Sequence, residues 1–278
     1  MTRLLTTDIK DIPNSLTAYD AELVAKTGRS LFQIACQAAG VSEKTAGKSL
    51  QSTRVEVIPI TTGLGLLQGF GEAVAAIANH MGCRAHVCQQ TDVAGIVEAI
   101  ASDVDIIMMA DEKRFIALNL NTRKIADNAE ATGRGFVTAL HLMAASSSKE
   151  QRVLVLGCGP VGQHALKTLL EYKYPVSVYD MDPLKSAALL DTLGPDANRF
   201  IHQPSDLEDA LLNHTLIVDA TPSGGFICAR HIKAESMISA PGMPLGLDRA
   251  ARAALGKRLI HDPLQIGVAT MLTMAATP

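Results

Sequence analysis

The chain carries no excess of either charge. Its 25 Lys and Arg stand against 28 Asp and Glu, a formal net charge of −3. It therefore offers no basic face for nucleic acid or for an anionic membrane surface. No apolar run reaches the roughly 18 residues of a membrane-spanning helix. Met1 to Thr6 lacks the apolar stretch of a secretory signal. Cys36, Cys83, Cys88, Cys158 and Cys228 are odd in number and scattered, with no CxxC. Together these absences point to a reducing cytoplasm. The eight histidines form no HExxH and no cluster with cysteine, so no metal site is expected. A GxSxG nucleophile elbow is missing too, as are internal repeats, low-complexity tracts and a basic helix-turn-helix region. What remains is an ordinary globular composition, 47% hydrophobic and 19% charged. At 278 residues it suits two domains.

The pattern of apolar residues predicts an α/β protein. Residues 1–50 read as helices: Ser15 to Lys26, Thr27 to Ala39 stopped by Gly40, and a short one capped by Ser42. Then the period changes. Val55 to Ile60, Arg84 to Cys88 and Val104 to Met109 read as strands, separated by helices from Leu66 to Met81 and from Val93 to Ala101, the second capped by Asp92. This β-α-β-α-β order over 54–110 predicts a small parallel sheet. Residues 112–132 are mixed and carry no clear pattern. Phe136 to Ala145 reads as an apolar helix in which His141 is a satisfied core histidine, and 146–151 as a hinge. The expected division is an N-terminal substrate-binding domain over 1–148 and a Rossmann-type domain over 149–278. The last helix, Leu264 to Met274, is expected to pack back on the first domain.

The second half holds the stretch that organises the chain. Val153 to Leu156 is a β-branched, apolar run of the kind buried on both faces of a parallel sheet. Gly157-Cys158-Gly159-Pro160-Val161-Gly162 follows, and then a helical pattern. This is the dinucleotide fingerprint. Its first glycine makes the tight turn, its second admits a pyrophosphate against the backbone, and its third lets helix and strand pack closely. The helix N-terminus offers free amides to phosphate. A second strand, Pro175 to Tyr179, ends in Asp180, 18 residues past Gly162, where a carboxylate accepts both ribose hydroxyls of NAD. Met181 follows rather than an arginine. A 2′-phosphate would meet a negative charge without a partner, so NAD is favoured over NADP.

Further turns stand at the carboxyl ends of predicted strands. Ala220-Thr221-Pro222 follows Leu216 to Asp219, Pro241-Gly242 follows Met237 to Ser239, and Pro263 to Gly267, with Ile266, precedes the last helix. Each is a candidate cofactor contact or a plain turn. Thr61-Thr62-Gly63-x-Gly65 repeats the strand–glycine–helix logic in the first domain and could hold a substrate carboxylate. Asp111 stands just past the third strand, where open α/β sheets place their ligands, as an amine-binding acid or a loop acid.

Several of these stretches, taken together, resemble the pyrrolysine-forming dehydrogenases. They are Ile58-Pro59-Ile60-Thr61-Thr62-Gly63-x-Gly65, Met109-Ala110-Asp111, Ile125-Ala126-Asp127-Asn128, the glycine turn, Ala220-Thr221-Pro222, Pro241-Gly242 and Pro263-Leu264-x-Ile266-Gly267. The resemblance covers most of the chain from about residue 55 and is loose over the first 50. It implies NAD-dependent oxidation of the terminal amine of a lysine acylated on its side-chain nitrogen by 3-methyl-D-ornithine, followed by closure of a pyrroline ring. It also implies that Thr62 and Asp111 meet substrate amino groups and that Asn128 shares their cleft. Thr62 stands where the family can have serine, and Gln265 departs from the family pattern. A homodimer is the commonest assembly for such enzymes. Two other readings compete. A shikimate-dehydrogenase-like enzyme would carry an Asn-x-Thr-x-Pro-x-Lys run, which is missing. An NAD(H)-sensing protein without turnover would use the same fold.

Overall fold

A computed structural model describes residues 4–145, 151–193 and 201–277. Four helices come first: α1 (Thr6–Ile9), α2 (Ile12–Thr27), α3 (Leu31–Ala39) and α4 (Glu43–Ser52). Helix α2 starts before Ser15, with Pro13 in its first turn, where a missing amide hydrogen costs nothing. Gly28, at φ +71°, ends it, and Ser30 opens α3 by accepting from the Gln33 amide. The helix expected from Thr27 thus starts four residues later, at Leu31, after the glycine and the cap.

The first sheet has five strands: β1 (Arg54–Val57), β2 (Arg84–Val87), β3 (Ile106–Ala110), β4 (Phe115–Asn119) and β5 (Ile125–Asp127), in the order β2-β1-β3-β4-β5. The pairs β1–β2 and β1–β3 are parallel, whereas β3–β4 and β4–β5 are antiparallel. The antiparallel half lies in the stretch that had no readable pattern. Two turns closed by a side-chain oxygen, one from an aspartate and one from an asparagine, build it. Asp111 Oδ1 accepts from the amides of Lys113 and Arg114, both at 2.7 Å. Asn119 Oδ1 accepts from those of Asn121 and Thr122, both at 3.0 Å. Helices α5 (Phe70–His80), α6 (Asp92–Ala101) and α7 (Asn128–Met143) complete this half. Helix α5 begins four residues later than expected, because Gly63–Leu66 winds as a 3₁₀ turn. Helix α7 begins eight residues earlier than expected, because Asp127 caps it through the Ala129 amide at 2.8 Å.

The second sheet is wholly parallel. Its strands are β6 (Val153–Leu156), β7 (Val176–Tyr179), β8 (Ile201–His202), β9 (Leu216–Asp219), β10 (Met237–Ser239) and β11 (Leu259–Ile260), in the order β11-β10-β9-β6-β7-β8. Numbered from β6, that is 3-2-1-4-5-6, the doubly wound dinucleotide order, which reverses between β6 and β9. Helices α8 (Pro160–Glu171), α9 (Pro183–Asp191), α10 (Leu207–Asn213), α11 (Arg249–Leu255) and α12 (Gln265–Ala276) belong to this half of the chain. The expected hinge residues 146–150, and 199–200 of the strand expected at 199–202, lie outside the described residues.

Helix α12 leaves the second sheet and joins the first core. It packs on α3, α5 and α7 and on strands β4 and β5, and Leu264, Ile266, Val268, Met271 and Leu272 share one apolar cluster with Ile34, Val74 and Phe136. Every residue from Gln265 to Thr273 is buried. Helix α7 is the seam. A methyl group at Gly135 would lie 2.4 Å from Ile266 Cγ2, and one at Gly133 would lie 2.8 Å from Val161 O on α8. Glycine on two faces of one helix lets α12 and α8 both approach its backbone. No described helix is long and apolar enough to cross a membrane.

Candidate active site

The glycine turn joins β6 to α8 at the point where the strand order reverses. Gly157 has φ +89°, so only glycine sits there without strain. A methyl at Gly162 would lie 1.8 Å from Gly157 O, so helix and turn close on each other. A methyl at Gly159 would meet nothing within 4 Å. The first and third glycines are required by the protein's own packing, whereas the second opens space beside the backbone. That open side is the one against which a pyrophosphate would lie in a dinucleotide fold. The amides of Val161 and Gly162 lie in the first turn of α8, which has no intrahelical acceptors, while Pro160 contributes no donor.

Asp180 stands beside this turn. Its Oδ2 accepts from the Cys158 amide at 2.8 Å, and its Oδ1 from the Asp182 amide at 2.9 Å. The carboxylate ties the end of β7 to the glycine turn, and Met181 beside it is 81% exposed. Cys158 is a structural thiol: burial pushes its pKa up, and its Sγ lies 3.6 Å from Ser186 Oγ.

Across the reversal point, the turn after β9 is laced to the turn after β10. The Gly242 amide donates to Asp219 O at 2.9 Å, and a methyl at Gly242 would lie 2.2 Å from Thr221 O. Thr221 is half-buried and Pro222 exposed, whereas Pro241 and Gly242 are buried. The residue beneath them is Asp219. It is fully buried, and its Oδ1 accepts from the Thr221 amide at 3.1 Å and from Thr221 Oγ1 at 2.7 Å. Its Oδ2 faces the Gly246 backbone with no hydrogen bond of ordinary geometry. Burial raises its pKa to about 6. Sequence reasoning left Asp219 out; the only available signal was an acid ending an otherwise apolar strand. Ile266 is fully buried, with its side chain packed into the notch at Gly135.

The second rim is assembled from distant segments. A methyl at Gly63 would lie 2.3 Å from Glu112 N and 2.4 Å from Asp111 C. The Thr62-Gly63 turn therefore lies flat on the Asp111-Glu112 backbone. Thr62 Oγ1 donates to Glu112 Oε1 at 3.1 Å. Thr61 is committed elsewhere: its amide and hydroxyl donate to Asp92 at 2.9 and 2.8 Å. This corrects the expectation that Asp92 caps α6. Asp92 has φ +52° and holds the Thr61 turn instead, and those bonds lower its pKa. Arg114 reaches from the β3–β4 turn to Asp127 Oδ2 at 2.8 and 3.0 Å, and Asn128 follows as the first residue of α7. Thr62, Gly63, Asp111 and Asn128 thus sit along one connected rim with Glu112, Arg114 and Asp127, which sequence reasoning did not single out.

Asp111 is held ionised. The amides of Arg114 and Lys113 lower its pKa, while among the described residues its Oδ2 accepts no hydrogen bond. A carboxylate so stabilised attracts a cation but takes up a proton poorly. On α7, His141 is satisfied by Tyr174 Oη at 3.0 Å and stacks on Tyr172. The fold also brings donor atoms of Glu56, Cys88 and Glu98 within 4.8 Å of one another under α6. Burial raises the Cys88 pKa and keeps it a neutral thiol, so we assign this group no role.

Fold and site together define a Rossmann-type dehydrogenase fold with a second, mixed sheet beside it. Among solved structures, quinate dehydrogenase from Corynebacterium glutamicum in complex with NAD matches with a TM-score of 0.54 at 15% identity, over 80% of this chain and 92% of that one. Shikimate 5-dehydrogenase from Thermus thermophilus, in complex with NADP(H) and shikimate, matches with a TM-score of 0.51 at 17% identity, over 81% and 95%. A family model described as "Pyrrolysine biosynthesis protein PylD, N-terminal domain" matches residues 8–126. Pyrrolysine synthase of Methanosarcina acetivorans is 30% identical over 98% of both chains, and that of Methanosarcina barkeri 28% identical over 98% of this chain and 97% of its own. The chain belongs to the pyrrolysine synthase family.

Proposed function

We propose that the protein oxidises the terminal primary amine of 3-methyl-D-ornithyl-N6-L-lysine with NAD, giving an imine that closes to the pyrroline ring of pyrrolysine. The observation that carries this reading is the packing of Thr62-Gly63 on Asp111-Glu112, which makes an acidic, hydroxyl-bearing rim suited to a substrate with more than one ammonium group. Family membership supports the substrate, and the open face of Gly159 supports a dinucleotide. Asp180 followed by the exposed Met181, with no arginine, favours NAD over NADP. Bound at the glycine turn, NAD supplies the two-electron acceptor that amine oxidation requires.

The residues have divided work. The free Oδ2 of Asp111 anchors one ammonium group, and Thr62 with Glu112 holds the neighbouring polar atoms. Asn128 joins them in this reading, at the start of α7, with its Oδ1 beside Gly267. The amine that reacts must be neutral, because its lone pair drives the carbon–hydrogen bond to break, and free alkylamines titrate at about 10. Desolvation lowers such a pKa, whereas a nearby carboxylate raises it. Asp111 therefore anchors the amine that does not react. The second amine, held on the same short chain, then attacks the imine carbon. Ammonia leaves, and a carbon–nitrogen double bond closes the ring, helped by high effective concentration.

The test is an assay with the synthetic acyl-lysine. NADH absorbance and ammonia should rise together in a 1:1 ratio, with no comparable rate for lysine or ornithine alone. Binding of NAD without NADH formation from this amine would reject the proposal and favour a sensor.

A further inference from the structure

Helix α2 of the first half and helix α11 with strand β11 of the second half flank a solvent-open groove of about 410 Å³ that the chemistry above does not use. Lys26, Arg249, Arg252 and His261 line it, opposed by Glu22. Lys26 is tied to Glu22 and to Leu259 O. Arg249 and Arg252 are three apart on α11 and so share one face. Among the described residues neither makes an ion pair or a side-chain hydrogen bond. Two exposed guanidinium groups that line one groove and have no acceptor from the protein are suited to grip a tetrahedral oxyanion.

His261 adds a proton. Its Nδ1 lies 2.7 Å from Ala240 O, and a carbonyl can only accept, so Nδ1 carries hydrogen. Nε2 is the ring nitrogen left for the groove. Burial lowers the pKa of this imidazole. The Ala240 bond and Asp8 on α1 raise it, while Arg252 on α11 and Lys26 on α2 lower it. Glu22 on α2 and Arg249 on α11 are the other charges on the groove wall. An anion between the arginines would cancel their field and favour imidazolium, whose Nε2–H then donates to it. Ala240 precedes Pro241-Gly242, the turn laced to Asp219, so His261 is bonded next to that turn.

We propose that this groove is a binding site for a phosphate-class oxyanion, which clamps α2 against α11 and takes up a proton at His261. The probe is sulfate, a dianion throughout the pH range, titrated calorimetrically with and without NAD. Saturable binding is expected in both cases, several-fold tighter at pH 6.5 than at pH 8.0. Arg252→Gln should weaken it by about tenfold, Arg249→Gln with Arg252→Gln should remove it, and His261→Asn should flatten the pH dependence. Circular dichroism of each variant should match that of the unaltered protein. Inorganic phosphate and ribose 5-phosphate, titrated in parallel, identify the source: tighter binding of either, lost in the double variant, supports the site. No saturable sulfate binding, binding abolished by NAD, or binding retained in the double variant would overturn the proposal.

Discussion

The two rims of the candidate site are built on opposite principles. The cofactor rim comes mostly from one stretch, Gly157 to Gly162, with Asp180 bonded back to it through Cys158. The substrate rim comes from Thr62-Gly63, Asp111-Glu112 and Arg114, and Asp127-Asn128, which meet only once β3, β4 and β5 have paired. A contiguous site depends on local backbone geometry and tolerates distant change. An assembled site depends on sheet register, where a one-residue slip turns each side chain to the other face.

Four changes break or sharpen this contrast. The largest effect belongs to Gly159→Val. A β-carbon there meets no atom of another segment within 4 Å, so the fold should hold, yet the side chain occupies the space a pyrophosphate needs. NAD affinity measured by calorimetry should fall by about a hundredfold or more, with far-UV circular dichroism unchanged. Retained micromolar affinity would place the phosphate site elsewhere.

Asp111→Asn comes next. It keeps the shape of the β3–β4 turn and removes the charge. We expect kcat/KM for the acyl-lysine to drop by about tenfold to a hundredfold, the worth of one charge-assisted hydrogen bond, while NAD affinity stays within a few-fold. Thr62→Val should follow the same split less steeply. A normal rate in Asp111→Asn would make that acid a turn residue only.

The third change is at the seam. Tyr19 Oη on α2 donates to Asp262 Oδ2 at 2.5 Å, and Asp262 Oδ1 accepts from the Ile266 amide at 3.3 Å, so one buried acid joins both halves. Burial raises the Asp262 pKa to about 6. A pKa raised by folding contributes stability below the unfolded value, about 4, and loses it as pH rises through about 6. Asp262→Asn cannot ionise, so its stability relative to the unaltered protein should increase by about 2 kcal/mol between pH 4 and pH 7.5. Urea midpoints at the two pH values measure it; a pH-independent difference would mean that the Asp262 pKa is the same in the folded and unfolded chain.

The smallest effect is on cofactor choice. Asp180→Ser with Met181→Arg removes the acid and supplies a cation for a 2′-phosphate. The ratio of NAD to NADP turnover should shift toward NADP by about tenfold. An unmoved ratio would show that cofactor choice is made elsewhere.

Much of the second half was legible because its signals are local. Four buried β-branched or apolar residues, three glycines and an acid at a strand end are each read without reference to the rest of the chain. The first half was legible only where strands alternate with helices. Phe115 to Asn119 is short and shows no alternation in its four apolar residues, Ile125 to Asp127 has three residues, and antiparallel pairing leaves no crossover helix to announce it. Asp92 illustrates the limit. As a polar residue before an apolar run it reads as a cap, yet a partner 31 residues away, Thr61, claims its carboxylate.

The sequence by itself determined the α/β class, the glycine turn and its acid, and the family. These rest on periodicity and on residue types that few backbone conformations accept. Only the tertiary structure decided that Gly63 lies on Asp111-Glu112, that Ile266 packs against Gly135, and that Asp219 and Asp262 are buried acids. Those outcomes depend on which segments approach within a few ångströms, and close packing of distant segments leaves no local mark in the chain.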